Sequence, residues 1–147
     1  MFYQLKVAEE KDLARLLDFV ERAGLSSSGI ELMVDYFVMM ENGEREVVAC
    51  IGVEPAEDVG LLRSLVVSDT LQQAHILTLF QSIQTLAEQK GLKQLFLVTN
   101  KEASVQFLQL MGFTETNPEQ IPKHLLTNEH IQSSMKEENT KIMVKSS

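Results

Sequence analysis

Between Gly60 and Gly91 the sequence reads GLLRSLVV, then SDTLQQAH, then ILTLFQSIQTLAEQKG. The first segment is apolar apart from Arg63 and Ser64, the pattern of a strand buried on both faces. The last places Ile76, Leu79, Phe80, Ile83, Leu86 and Ala87 on one helical face. A short polar turn joins them. A strand that feeds straight into a helix leaves the first helical N–H groups pointing back at that turn. Together with the positive end of the helix dipole they suit an anion such as a pyrophosphate.

Around this unit the chain reads as alternating strands and helices. Phe2 to Val7 is an expected first strand. Leu13, Leu16, Leu17 and Val20 mark a helix over 11–23, stopped by Gly24. A short helix is expected over 30–34 and a strand over 36–41. Asn42-Gly43 is a hairpin signal, because both residues tolerate φ > 0. A returning strand follows over 46–54, with a second turn at 55–58. After Gly91 come a strand over 93–99 and a helix from Asn100 to Met111, with Ala103, Phe107 and Met111 on one stripe. Gly112 closes that helix. An extended piece over 113–116, a turn at 118–122, a helix over 128–135 capped by Thr127 and a strand over 141–145 complete the chain. The order implies one α/β domain over 1–147, a mixed sheet with helices on its faces. A ligand is expected at the carboxyl end of the Gly60–Val67 strand.

Charge and composition exclude several functions. The net charge of −8 argues against nucleic acid and anionic membranes as partners. No apolar run is long enough to span a bilayer, and the N-terminus lacks a signal-peptide pattern. The single cysteine, Cys50, permits no intrachain disulfide and points to a reducing, cytoplasmic setting. Cys50 lies between Ala49 and Ile51 and reads as a small core residue. His124 and His130 lack metal-ligand spacing, so no metal is expected. The methionines read as core filling.

The segment Asn100-x-x-Ala103-x-x-x-Phe107-x-x-x-x-Gly112-Phe113, with Leu65-Val66-Val67 and the helix after it, resembles the GNAT (Gcn5-related) N-acetyltransferase superfamily over nearly the whole chain. Gly52 to Leu65 and, more faintly, the tail after Phe113 resemble its arsinothricin/phosphinothricin branch. The resemblance implies a mostly antiparallel twisted sheet with one splayed parallel strand pair and helices on both faces. It implies acetyl-CoA as acetyl donor and the primary amine of a small molecule, an amino acid or analogue among the candidates, as acceptor. Leu65, Val66 and Val67 would hold the thioester end. Gln72, Gln73, Ala74, His75 and Ile76 would hold the pyrophosphate, and Asn100, Ala103 and Phe107 would also face the cofactor. Glu54 is the candidate general base. Arg63 is either a substrate carboxylate clamp or the partner of Glu46 or Glu54 in a structural ion pair. Asn100 is equally well read as the cap of its helix, Phe107 as core and His75 as a solvated helix-start residue.

Two departures from the family pattern define the competing reading. The turn reads Gln72-Gln73-Ala74-His75-Ile76-Leu77, without the family's glycines. Phe107 stands where the family commonly has a proton-donating tyrosine. Both fit a GNAT-fold binding or regulatory module that has lost catalysis, with a homodimer as its expected assembly.

Overall fold

The computed structural model describes residues 3–126 and 140–146. The expected Thr127-capped helix over 128–135, and His130 with it, lie outside the described residues. The elements are β1 (Tyr3–Val7), α1 (Leu13–Arg22), β2 (Phe37–Asn42), β3 (Val47–Ala56), β4 (Val59–Val67), α2 (Gln73–Gln89), β5 (Gln94–Thr99), α3 (Glu102–Leu110), β6 (Thr114–Thr116), α4 (Lys123–Leu126) and β7 (Lys141–Ser146). The strand order is β1-β2-β3-β4-β5-β7-β6. The β1–β2, β2–β3, β5–β7 and β6–β7 pairs run antiparallel, and β4–β5 is parallel. The mixed, mostly antiparallel sheet is the one expected from the sequence. The chain divides into two compact units, Met1–Glu54 with Leu62–Lys90, and Pro55–Leu61 with Gly91–Ser147.

In the first unit, every residue from Phe37 to Met40 is buried. A strand can bury consecutive residues only if both of its faces are covered. Leu16 and Val20 of α1 share a core cluster with Phe37, Met39 and Cys50. Leu79, Phe80 and Ile83 of α2 are buried, and α2 packs against β2. Gly52 lies opposite Phe37 in the β2–β3 register, and the ring of Phe37 fills the space that a side chain at Gly52 would need. Two expectations need correction here. Asn42-Gly43 does mark a hairpin, but neither residue takes the left-handed conformation; that falls on Arg45, with φ 63°. Asn42 instead accepts the Glu44 and Glu46 N–H groups on its side-chain oxygen, both at 2.9 Å. Likewise, the turn expected at 55–58 is tighter. Pro55 and Ala56 belong to β3, and Glu57 supplies the positive φ of 56°.

Where α1 begins, a buried charge ties several segments of this unit together. The Asp12 side chain is 3% exposed and pairs with Lys6 and Arg15, each at 2.9 Å. It also accepts the Glu9 N–H at 2.9 Å. Arg15 goes on to Glu41 at 2.8 Å and donates to the Arg45 carbonyl at 2.8 Å. Burial alone would raise the Asp12 pKa. The bonds from Lys6, the Glu9 backbone and Arg15 outweigh it and hold the carboxyl down at about 2.

In the second unit, the parallel ladder pairs Val59, Gly60 and Leu61 with Gln94, Leu95 and Phe96. On its other side β5 pairs with β7 from Gln94↔Ser146 to Thr99↔Lys141. Val59, Leu61, Phe96, Ile121, Leu125 and Ile142 form its core. Gly112 has φ 96°, the left-handed geometry expected of a residue that ends a helix. Lys145 Nζ donates to the Met111 carbonyl at 2.9 Å, a cation at the negative end of α3.

Candidate active site

β4 is not a regular strand. Ser64 sits at φ 57°, a left-handed residue inside an extended segment, and it breaks the two-residue alternation that would align Arg63 with Leu61 and Leu65. The Cys50 thiol donates to the Ser64 carbonyl at 3.3 Å. Burial pushes the Cys50 pKa up to about 12, so this thiol is a neutral donor and not a nucleophile. Its reading as a core residue holds.

Arg63 and Glu54 are brought together. Arg63 Nη1 donates to Glu54 Oε1 at 2.8 Å, and the two side chains are 9% and 23% exposed. The guanidinium also donates through Nε to Ser64 Oγ and through Nη2 to the Ser28 carbonyl, both at 3.2 Å. The ion-pair reading of Arg63 is therefore realised with Glu54. The alternative partner, Glu46, accepts from Asn42 Nδ2 at 3.1 Å instead. Glu54 was expected at a strand end, yet β3 runs on to Ala56, so its backbone is fixed on both sides. A guanidinium this far from water is costly unless its charge is matched, and Glu54 supplies the match.

Beyond Ser64, Leu65, Val66 and Val67 are all half-buried. The chain then turns at Ser68–Leu71, where Leu71 N–H donates to the Ser68 carbonyl at 3.1 Å. At the start of α2 the Gln72 side chain accepts the His75 N–H, and His75 Nδ1 accepts the Gln72 N–H at 3.1 Å. This is a reciprocal cap built from Gln and His in place of the usual Ser and Glu. It leaves Nε2 of His75 as the protonated nitrogen. The His75 ring also stands edge-on to Tyr3, with centroids 4.7 Å apart. His75 is thus a capping residue rather than a freely solvated one. Gln73 and Ala74, the first two residues of α2, keep N–H groups with no acceptor among the described residues. They are the donors here that fit a pyrophosphate. Ile76 is half-buried behind them.

In the second unit, Asn100 is not the cap of α3. The cap position is Lys101, and the helix starts at Glu102. The buried face of α3 is Val105 and Leu108. Ala103 is exposed and Phe107 half-buried, so the reading of Phe107 as core is corrected. Among the described residues, no group of three or more His, Cys, Asp or Glu is placed to hold a metal ion. Nor is any helix long and apolar enough to cross a membrane.

Sequence reasoning missed Ser28 and Ser64. Ser28 acts through its backbone carbonyl, which leaves no trace in a side-chain pattern, and a serine in a strand gives no signal of positive φ.

Comparison with known proteins places the chain. The uncharacterized protein YwlB of Bacillus subtilis is 42% identical over 148 residues, spanning 100% of this chain and 99% of YwlB. The chain belongs to the YwlB family. Its fold is that of the GNAT superfamily. N-acetylglutamate synthase from Neisseria gonorrhoeae, complexed with coenzyme A and N-acetyl-glutamate, superposes with a TM-score of 0.77 at 19% identity over 99% of this chain. This chain spans only 35% of that larger protein. Rv2747 from Mycobacterium tuberculosis, in complex with CoA, also gives 0.77, at 14% identity over 98% of this chain and 99% of Rv2747. A GNAT-family acetyltransferase from Staphylococcus aureus gives 0.71 at 13% identity, with 99% of both chains covered. No family model matches the chain.

Proposed function

We propose that the YwlB-family chain, as one domain over 1–147, is an acetyl-CoA-dependent N-acetyltransferase acting on the primary amine of a small molecule. The observation that carries this reading is the first unit's β4–turn–α2 segment. Arg63 paired with Glu54 of β3, the left-handed Ser64 and two unaccepted helix-start N–H groups follow one another along it. The GNAT fold and the CoA complexes of its structural neighbours support the same reading. Acetyl-CoA would supply an activated thioester. Gln73 and Ala74 N–H, with Gln72, His75 and Ile76 around them, would receive its pyrophosphate. The backbone of Leu65–Val67 would face its thioester end. Glu54 would first take a proton from the acceptor's ammonium, directly or through water; the free amine would then form the C–N bond as the C–S bond breaks, with the coenzyme leaving as a thiolate that takes up the remaining proton through solvent. Arg63 has used three of its five N–H donors within the protein. The competing account of Arg63, a clamp for an acceptor carboxylate as in an amino acid or its analogue, would use the other two. The resemblance gives Asn100, Ala103 and Phe107 cofactor-facing roles of their own. The buried, protonated thiol suits a reducing cytoplasm.

The test is ligand-induced stabilisation. Acetyl-CoA at ~100 times its dissociation constant is expected to stabilise the fold by about 2.7 kcal/mol, read as a rise in melting temperature. No shift and no calorimetric heat at saturating acetyl-CoA would overturn the proposal. Binding without release of free thiol across a panel of amines would select the second reading, a GNAT-fold binding or regulatory module. The Gln72–His75 cap favours that reading, since α2 already satisfies part of its own N-terminus. Its expected homodimer is checked by light scattering.

Phe107 gives a further check. Because it is half-buried, Phe107→Tyr should keep stability within about 0.5 kcal/mol, as for a surface substitution. It should leave the acetylation rate unchanged or raise it by supplying an acid for the departing thiolate. A loss of several kcal/mol would show that the ring has no room for a hydroxyl.

A further inference from the structure

The hydrogen bonds of Arg63 reach three separate segments. Nε holds Ser64 of its own strand, Nη1 holds Glu54 of β3, and Nη2 holds the carbonyl of Ser28 in the loop after α1. That loop is bounded by Gly24 and Gly29, with φ of 80° and 83°. Nothing lies within 4 Å of where a Cβ would stand on either glycine. Both are present for their backbone freedom, not for packing. The loop's internal ties are at the surface: Ser27 Oγ to Glu21 at 3.0 Å and Ser28 N–H to Ser26 Oγ at 3.2 Å. Leu25 and Leu32, in and beside it, are exposed. Among the described residues, the hydrogen bond that joins 25–28 to the sheet is the one from Arg63. Its two terminal nitrogens are parts of one rigid plane, so Glu54 and Ser28 are held side by side and cannot shift independently.

We propose that Arg63 is a positioning residue that sets the orientation of the Glu54 carboxylate and, through the Ser28 carbonyl, the place of the 25–28 loop beside it. This rests on the acetyltransferase reading for its catalytic consequence, but the loop coupling stands without it. The coupling is distinct from a carboxylate clamp, because it acts on every acceptor amine alike. Lysine keeps the charge but is a point donor that cannot hold two acceptors in a fixed plane.

The test uses the full chain. In Arg63→Lys, hydrogen exchange of the 25–30 amides should quicken about ten-fold, the weight of one hydrogen bond to a charged group. Acetyl-CoA affinity should stay within about two-fold, since the pyrophosphate donors are elsewhere. Turnover should fall equally for amines with and without a carboxylate. Glu54→Gln keeps an acceptor for Nη1, so its loop exchange should match the wild type while turnover drops. In that background, adding Arg63→Lys should cost little further turnover, because the two act as a unit. Unchanged loop exchange in Arg63→Lys would overturn the proposal, as would fully multiplicative losses of turnover. A loss confined to carboxylate-bearing amines would replace it with the clamp. If Arg63→Lys does not fold, Arg63→Met with Glu54→Leu removes both charges at once. The same quickening of 25–30 is then expected, and its absence is fatal. Wild-type protein that shows no acetyl-CoA shift would defeat the acetyltransferase reading alone, and the exchange measurements would still decide the loop coupling.

Discussion

Asp12→Ala is expected to destabilise the fold by about 3 kcal/mol, because it strips a buried carboxylate from two cations and a backbone N–H that converge on it. Lys6, Arg15 and the Glu9 N–H all converge on this side chain. Losing it also frees Arg15 from one of its two carboxylate partners. The same group gives a pH signature. The folded pKa of about 2 lies below the ordinary 3.8. The carboxyl therefore contributes stability at pH values above about 4, and that contribution is lost as the pH falls toward about 2. The shift corresponds to about 2 kcal/mol. Urea midpoints measured between pH 2 and pH 6 should show this loss in the wild type and a correspondingly shallower loss in Asp12→Asn. Parallel curves for the two proteins would show that Asp12 is not the group responsible.

Gly52→Ala should cost about as much, through sterics instead of charge. A Cβ at Gly52 would stand 2.6 and 2.7 Å from Cε2 and Cε1 of Phe37. Phe37 is fully buried and directly opposite in the register, so the ring cannot swing away without opening the core. Overpacking of this kind costs about 3 kcal/mol. A urea midpoint that falls with an unchanged slope would report it. Phe37→Leu added to Gly52→Ala should recover part of the loss, since the smaller side chain vacates the space. A double variant no more stable than Gly52→Ala would mean that the strain lies in the backbone.

Much of the architecture was legible because backbone chemistry leaves marks on residue choice. Gly24 and Gly112 were read as helix ends, and both are left-handed, at φ 80° and 96°. The strand-to-helix passage at Gly60–Gly91 was found from periodicity alone. The face of α3 was not. Ala103, Phe107 and Met111 repeat every four residues, and a four-residue step overshoots the 3.6-residue turn, so that stripe drifts around a short helix. Val105 and Leu108 are the buried pair. The Asn42-Gly43 hairpin was located correctly but built differently, because the Asn42 side chain competes for two backbone N–H groups. At the candidate site, Glu54 was one of two partners weighed for Arg63. The left-handed turn of Ser64 and the carbonyl of Ser28 were invisible, one being a φ angle and the other a backbone atom.

The two ends of the strand order also bear on how the protein behaves at high concentration. A sheet whose outer strand is long, flat and apolar invites another chain to pair with it. Here one outermost strand, β6, has three residues and carries Glu115 between two threonines. The other, β1, has five residues and places Lys6 in its interior, already engaged by Asp12. Short edges that each carry a charge offer a poor template for cross-chain ladder growth. The same salt bridge that steadies the start of α1 therefore also keeps a charge on the rim of the sheet. Losing Asp12 would release Lys6 from its fixed position on that rim and weaken the fold that keeps the apolar central strands covered.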